Sequence, residues 1–463
     1  MSSSTGGGSW FARYFGFEEN DTDMKTEMIA GATTFLTMSY IIVVNPAILS
    51  EAITIEGYGP GQVFQMIAIV TILASVVAIT VMAFYANLPF GLAPGMGLNA
   101  FFAFTVVIGM GISWQTALAA VFVEGVLFIL MTAVGARKYI IRLFPKPVKF
   151  SVGAGIGVFL LLLGVIELGI AVDDPATLVQ IGAIANSPAS LLGVAGLAVT
   201  LMLYARNIKG SIIIGILGTA GAGWLISILS PAFEVGGALT PQPVQPFYDI
   251  TPLVGSFVEG LATIEPLSFA VVVFTFFFVD FFDTAGTLIG VSQLGGFLNE
   301  EGNLPNIDKP LMADAIGTTI GAMLGTSTIT TFIESSTGVE EGGRTGMTAL
   351  VVGVLFTLSL VAVPLISAIP TYASYIGLIV VGLIMLEGVT DIDWSDPRWS
   401  IPAGLTITLM PLTASISNGL GAGIIGYPLV KVAVGEADDV HPGVYALAAV
   451  LIVYFYVQTG VLA

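Results

Sequence analysis

The chain has 463 residues, 56% of them hydrophobic and only 10% charged, with a mean hydropathy of +0.96, where a soluble protein carries about 25% charged residues. The net charge of −18, from 31 acids against 13 bases, is the reverse of a nucleic-acid binder, so no nucleic-acid partner is expected. With no cysteine, disulfides, thiolate metal sites and cysteine nucleophiles are excluded.

Apolar windows of about 20 residues, the length that crosses a bilayer as a helix, recur along the chain. After a Ser/Gly-rich and then acidic tail ending near Lys25, apolar runs lie at about 27–49, 63–86, 97–110, 115–134, 150–172, 189–204 and 211–230. A proline-rich loop, 231–266, carries Pro231, Pro241, Pro243, Pro246 and Pro252. Further runs lie at about 267–292, 311–324, 328–341, 345–369, 372–390, 399–414 and 416–434, and a last one at 443–461. The chain therefore reads as an all-α polytopic membrane protein.

The basic residues test this map. With the N-terminus cytoplasmic and one crossing per run, Arg13 and Lys25 lie inside. So do Arg137, Lys138, Arg142, Lys146, Lys149, Arg206, Lys209, Lys309, Arg344, Arg398 and Lys431. All 13 bases fall on one side, as the positive-inside rule requires. The run 443–461 has no flanking base, and its topology is left open.

Fourteen crossings divided at the 231–266 loop give seven and seven. An odd number per half threads the halves in opposite directions, which is an inverted repeat. The third run of each half is short and interrupted. Pro94, with Gly91, Gly95 and Gly97, argues against helix through 89–97, and the Thr/Ile-rich run 326–333 favours a strand. Two extended pieces are expected to meet near the midplane, each followed by a half-helix whose positive end faces a cavity.

Intramembrane carboxylates stand out, because an ionised acid at a helix centre costs about 2.5–3.5 kcal/mol on insertion scales. Asp280 and Asp283 lie in the run VFTFFFVDFFDTAGTLIG, and Glu334 stands at the expected strand-to-helix junction. These are the candidate ligand and proton sites. Asn99 either caps its half-helix or reaches the cavity. Phe101, Phe102 and Phe332 flank the polar groups, where rings beside carboxylates suit a flat heterocycle with N–H edges. Glu124, Glu167 and Glu387 are further acids without a motif. Glu340, Glu341 and Arg344 read as a charged cytoplasmic end, solvated or forming a gating ion pair. His441, the single histidine, lies in a polar loop and is assigned no chemistry. No phosphate-binding loop, metal-ligand set or nucleophile constellation is present in the sequence, so no enzyme activity, cofactor or direct ATP drive is expected.

Three stretches, GLAPGMGLNAFF from Gly91, FVDFFDTAGT from Phe278 and TITTFIESSTG from Thr328, resemble the nucleobase–cation symporter family, in its adenine–guanine–hypoxanthine permease branch. The resemblance extends over about residues 25–435. It implies fourteen segments in a seven-plus-seven inverted repeat, an elevator-like mechanism and a homodimer in the cell membrane. It also implies the following division: a cytoplasmic tail 1–25; a core domain from 26–147 and 267–370; a gate domain from 148–232 and 371–435; an extracytoplasmic loop 233–266; and a C-terminal run 436–463. Asp280, Glu334, Asn99, Phe101 and Phe332 would bind a purine nucleobase, and Asp280, Asp283 and Glu334 would couple its import to protons. Sodium coupling stays open at this stage. So do a uracil/xanthine permease, an anion carrier of the same architecture, and a channel or non-transporting receptor.

Overall fold

The computed structural model describes residues 10–135, 145–175, 177–229, 239–241, 245–299 and 304–460. Arg137, Lys138, Arg142, Pro231 and Pro243 lie outside the described residues, as does the start of the tail. Nine helices among the described residues are long and apolar enough to cross a membrane. Helices of that length and composition are what a multi-pass membrane protein requires.

Every apolar run carries helix close to the sequence reading, 328–341 only in its second part, Ser335–Glu340, after the strand Ile329–Thr331. Four local differences stand out. The first run breaks at Ser39–Tyr40 into helices Met24–Met38 and Ile41–Leu49. The run 345–369 breaks after Ser359, ahead of Pro364. The run 150–172 ends early, at Glu167, where Gly169 takes a positive φ of 67°, the left-handed turn that stops a helix. The chain then forms a hairpin of strands Ala171–Asp174 and Leu178–Ile181. Its turn is closed by the Asp174 carboxylate, which accepts from the Thr177 N–H and hydroxyl. The loop 231–266 is not all irregular, since Phe257–Leu261 makes a short helix.

The helices form two packing groups. In one, Trp114–Ala133 and Pro60–Val81 pack on Asp308–Leu324, and Met24–Met38 packs on Gly346–Ser359 and on Ser335–Glu340. In the other, Lys146–Glu167 packs on Thr371–Met385 and Pro397–Leu412, with Pro188–Ala205, Ser211–Leu229 and Ile416–Ala433 around them. The closing helix Pro442–Gly460 lies on Ile416–Ala433.

The extended pieces occur at Leu92–Pro94 and Ile329–Thr331 and pair antiparallel, with Leu92 opposite Thr331 and Pro94 opposite Ile329. The Phe332 N–H donates to the Gly91 carbonyl and the Gly95 N–H to the Thr328 carbonyl, each at 3.0 Å. Antiparallel ladders alternate bonded and non-bonded pairs. Pro94 thus falls on a non-bonded position, and its missing N–H costs no ladder bond. The outward N–H and C=O of Ile329 would be orphaned, but the Thr318 hydroxyl accepts from one and donates to the other. The approach is close: a Cβ on Gly91 would stand 2.5 Å from the Met38 sulfur, so that the Met38 side chain would have to shift.

Candidate functional site

Glu334 immediately precedes the helix Ser335–Glu340. It is half-buried, and its Oε1 accepts a 2.7 Å hydrogen bond from the Tyr40 hydroxyl. Tyr40 sits at the break between the first two helices and is only 1% exposed. Its ring lies 6.4 Å from that of Phe332. The donor is thus held by packing, while its acceptor keeps contact with open space.

That space is a cavity of about 540 Å³ between the two packing groups, within the range of about 300–1,000 Å³ typical of small-molecule sites. Thr37, Glu334 and Thr337 line it from one group; Tyr204, Lys209 and Glu387 line it from the other. The Thr37 and Thr337 hydroxyls bond each other at 3.0 Å. Lys209 forms an ion pair with Glu341 across the two groups.

The three candidate acids do not share one environment. Asp283 is half-buried and interacts electrostatically with Glu334 and Tyr40. Asp280 is fully buried and points elsewhere. Its Oδ1 lies 3.2 Å from the Thr284 hydroxyl, which is also 3.0 Å from Asp314 Oδ1. Asp280 and Glu124 face each other within hydrogen-bonding reach. A three-residue step on a helix turns about 300°, so the two aspartates differ by about 60° in direction. That is enough here to set one towards Glu334 and the other towards Glu124, although Asp283 does not itself line the cavity.

The remaining candidates are also structural neighbours of the site. Asn99 is fully buried; its Nδ2 donates to the Pro94 carbonyl at 3.4 Å, and its Oδ1 accepts from Ser327. It ties the two extended pieces together and does not line the cavity. Phe101 is buried edge-to-face against Phe276, centroids 4.7 Å apart, and Phe332 is 5% exposed. Arg344 does not pair with Glu340 or Glu341. Its guanidinium donates to the Val339 and Gly343 carbonyls, and its backbone N–H to Glu27. The loose carbonyls at the end of a half-helix of six residues attract this cation.

Another cavity, of about 590 Å³, collects Lys146, Lys149, Arg398 and Lys431. Its basic character is largely cancelled: Arg398 binds Asp396 and Glu436, and Lys431 binds Glu436 and Asp439. Those hydrogen bonds hold the carboxyls of Asp396 and Glu436 below the usual carboxylate range. Among the described residues no group of three or more acidic, histidine or cysteine side chains is placed to hold a metal ion.

Residues 25–421 match a family model described as a permease family. The chain is 44% identical to a putative permease of Methanocaldococcus jannaschii, over 97% of this chain and 98% of that one. It is 39% identical to a guanine/hypoxanthine permease of Bacillus subtilis (97% and 100% covered) and 38% identical to an adenine permease of Escherichia coli (97% and 96%). Its fold is similar to that of the transmembrane domain of a cyanobacterium bicarbonate transporter, with TM-score 0.58 at 16% identity over 87% of this chain and 97% of that one. A murine Solute Carrier 26 family anion transporter in the inward-facing state gives TM-score 0.57 at 10% identity, over 93% and 73%.

Proposed function

The chain belongs to this permease family, and from that premise we propose that it imports purine nucleobases, adenine, guanine or hypoxanthine, by proton symport. The observation that carries the reading is Glu334: a carboxylate at a strand-to-helix junction, fixed by Tyr40 through one oxygen and open to a cavity between two bodies. A purine offers N–H edges that a carboxylate accepts. Thr37 and Thr337 add hydroxyls on the same wall, and Asp283 adds a second charge nearby. Asn99, Phe101 and Phe332 act by holding the extended pieces and the Tyr40 ring in place. Asp280, sealed from the cavity, handles protons rather than substrate.

In this reading the group containing 26–147 and 267–370 is a core that carries the site. The group containing 148–232 and 371–435 is the gate against which the core moves in an elevator-like cycle. Fourteen crossings as two inverted halves, a cytoplasmic N-terminus, the cell membrane and a homodimer complete the proposal. An acyl or phosphoryl enzyme reaction is not part of it, because the relatives are transporters.

One observation favours a second reading. Lys209 lines the cavity, and an anion carrier needs a base. Its ion pair with Glu341 argues that the charge is already matched. The deciding experiment is counterflow in proteoliposomes: labelled hypoxanthine should exchange for unlabelled purine and be competed by adenine or guanine. Competition by bicarbonate, sulfate or uracil instead would transfer the assignment to the second reading or to the pyrimidine side of the family, and no exchange would remove the carrier altogether.

A further inference from the structure

Glu124, an acid without a motif in the sequence, acquires a partner in the fold. It lies on helix Trp114–Ala133 and is fully buried. Its Oε2 accepts a 3.0 Å hydrogen bond from the Thr328 hydroxyl, while its Oε1 is buried and receives no hydrogen. Opposite it stands Asp280, also fully buried, whose Oδ2 likewise receives none. Two carboxyls that face each other out of water, each with an unfilled acceptor, lack one thing between them: a hydrogen. No lysine or arginine supplies it, for neither acid is in an ion pair among the described residues.

We propose that Glu124 and Asp280 form a proton-binding pair, one proton bridging Glu124 Oε1 and Asp280 Oδ2, separate from the Glu334 cavity. The step is proton transfer alone. Uptake takes the pair from a charge of −2 to −1, release reverses it, and no bond between heavy atoms changes. The groups that face the pair are acidic. Asp314 approaches from helix Asp308–Leu324 through the Thr284 hydroxyl, and Asp283 lies one turn further along Asp280's own helix. Of the bases on packed helices, Lys149 stands over the Phe282 ring at 5.2 Å and Lys309 over the Tyr85 ring at 5.9 Å. A hydroxyl has one hydrogen to give, so the Thr284 hydrogen lies with Asp280 or with Asp314 at any moment. This extends the pair into a string along which a proton can be accommodated.

The pair is also wired to the substrate side. Thr328, the donor to Glu124, gives its carbonyl to the Gly95 N–H and leads through the strand Ile329–Thr331 to Glu334. Loading the pair removes one of the charges that the core would otherwise take through the bilayer, which is the costly part of moving buried acids. The inference rests on the transport reading for its role in coupling, but not for the existence of the shared proton.

Two measurements on the full chain test it. Infrared spectra of the purified protein near neutral pH should contain a carboxylic-acid C=O band that is lost or shifted in both Glu124→Gln and Asp280→Asn. An unchanged band in both variants, or none in the wild type, overturns the shared proton. In proteoliposomes, one proton per purine supports about ten-fold accumulation per unit of pH gradient. Glu124→Gln should lose that accumulation while hypoxanthine counterflow remains measurable. Wild-type accumulation in Glu124→Gln, or accumulation driven by a sodium gradient alone, overturns the coupling role. Wild-type protein with no counterflow would instead refute the transport reading, and the infrared result would still decide the pair.

Discussion

Replacing Tyr40 by phenylalanine removes one oxygen and nothing else of the ring. Tyr40 is 1% exposed, and its hydroxyl donates to Glu334 Oε1 at 2.7 Å. A hydrogen bond to a charged group contributes about 1.5–3 kcal/mol. Glu334 is half-buried, so water replaces part of the lost bond and the lower figure applies. At about 1.5 kcal/mol the loss corresponds to roughly ten-fold weaker binding of a ligand that needs Glu334 held in place. Equilibrium binding of labelled hypoxanthine to detergent-purified protein measures this, with thermal unfolding run in parallel. The expected result is about ten-fold weaker affinity with only a small fall in the unfolding midpoint, since the ring still packs beside Phe332. Wild-type affinity in Tyr40→Phe would refute the argument that Tyr40 positions the acceptor.

Gly338→Val should destabilise the fold by about 1–3 kcal/mol through overpacking, because a Cβ there would meet the Ala30 carbonyl oxygen at 2.7 Å and collide with Thr34; a lower melting temperature and loss of monodispersity would register it. Thr318→Val strips the partner from both the N–H and C=O of Ile329 and should cost about 1–3 kcal/mol for each orphaned group, read as faster hydrogen exchange at 329–331. The Lys209–Glu341 pair, with side chains 39% and 37% exposed, should show a double-mutant coupling of no more than about 1 kcal/mol; a larger value would make it a structural clamp. The carboxyls of Asp396 and Glu436 are held low by Arg398 and Lys431. Their stabilising contribution is therefore complete above the ordinary carboxylate range and is lost as pH falls through their depressed values. Hydrogen exchange around 436–441 should rise on acidification, and Arg398→Gln should weaken that dependence.

Much of this was legible in the residues. Pro94 among glycines and the Thr/Ile run before Glu334 forecast where helix would give way to strand, because backbone chemistry alone forbids or favours it. Glu334 was placed correctly at its junction for the same reason. The division of labour between Asp280 and Asp283 was not legible: both sit on one apolar helix, and only its rotation against Trp114–Ala133 decides which acid turns inward. Tyr40 left no trace, since a tyrosine at the edge of an apolar run is indistinguishable from packing until the break at Ser39 aims it at Glu334. Glu124 looked like a stray acid because its partner is more than 150 residues away. The hairpin at 171–181 was hidden by apolar residues that continue past Gly169.

The central claim is that a purine binds at Glu334 in the cavity between the two helix groups. A structure determined with hypoxanthine bound tests it most directly. The account predicts the base within hydrogen-bonding distance of the Glu334 carboxylate, on the wall formed by Thr37 and Thr337, and absent from a Glu334→Gln sample prepared identically. A base seated elsewhere, or bound equally in both samples, would contradict it.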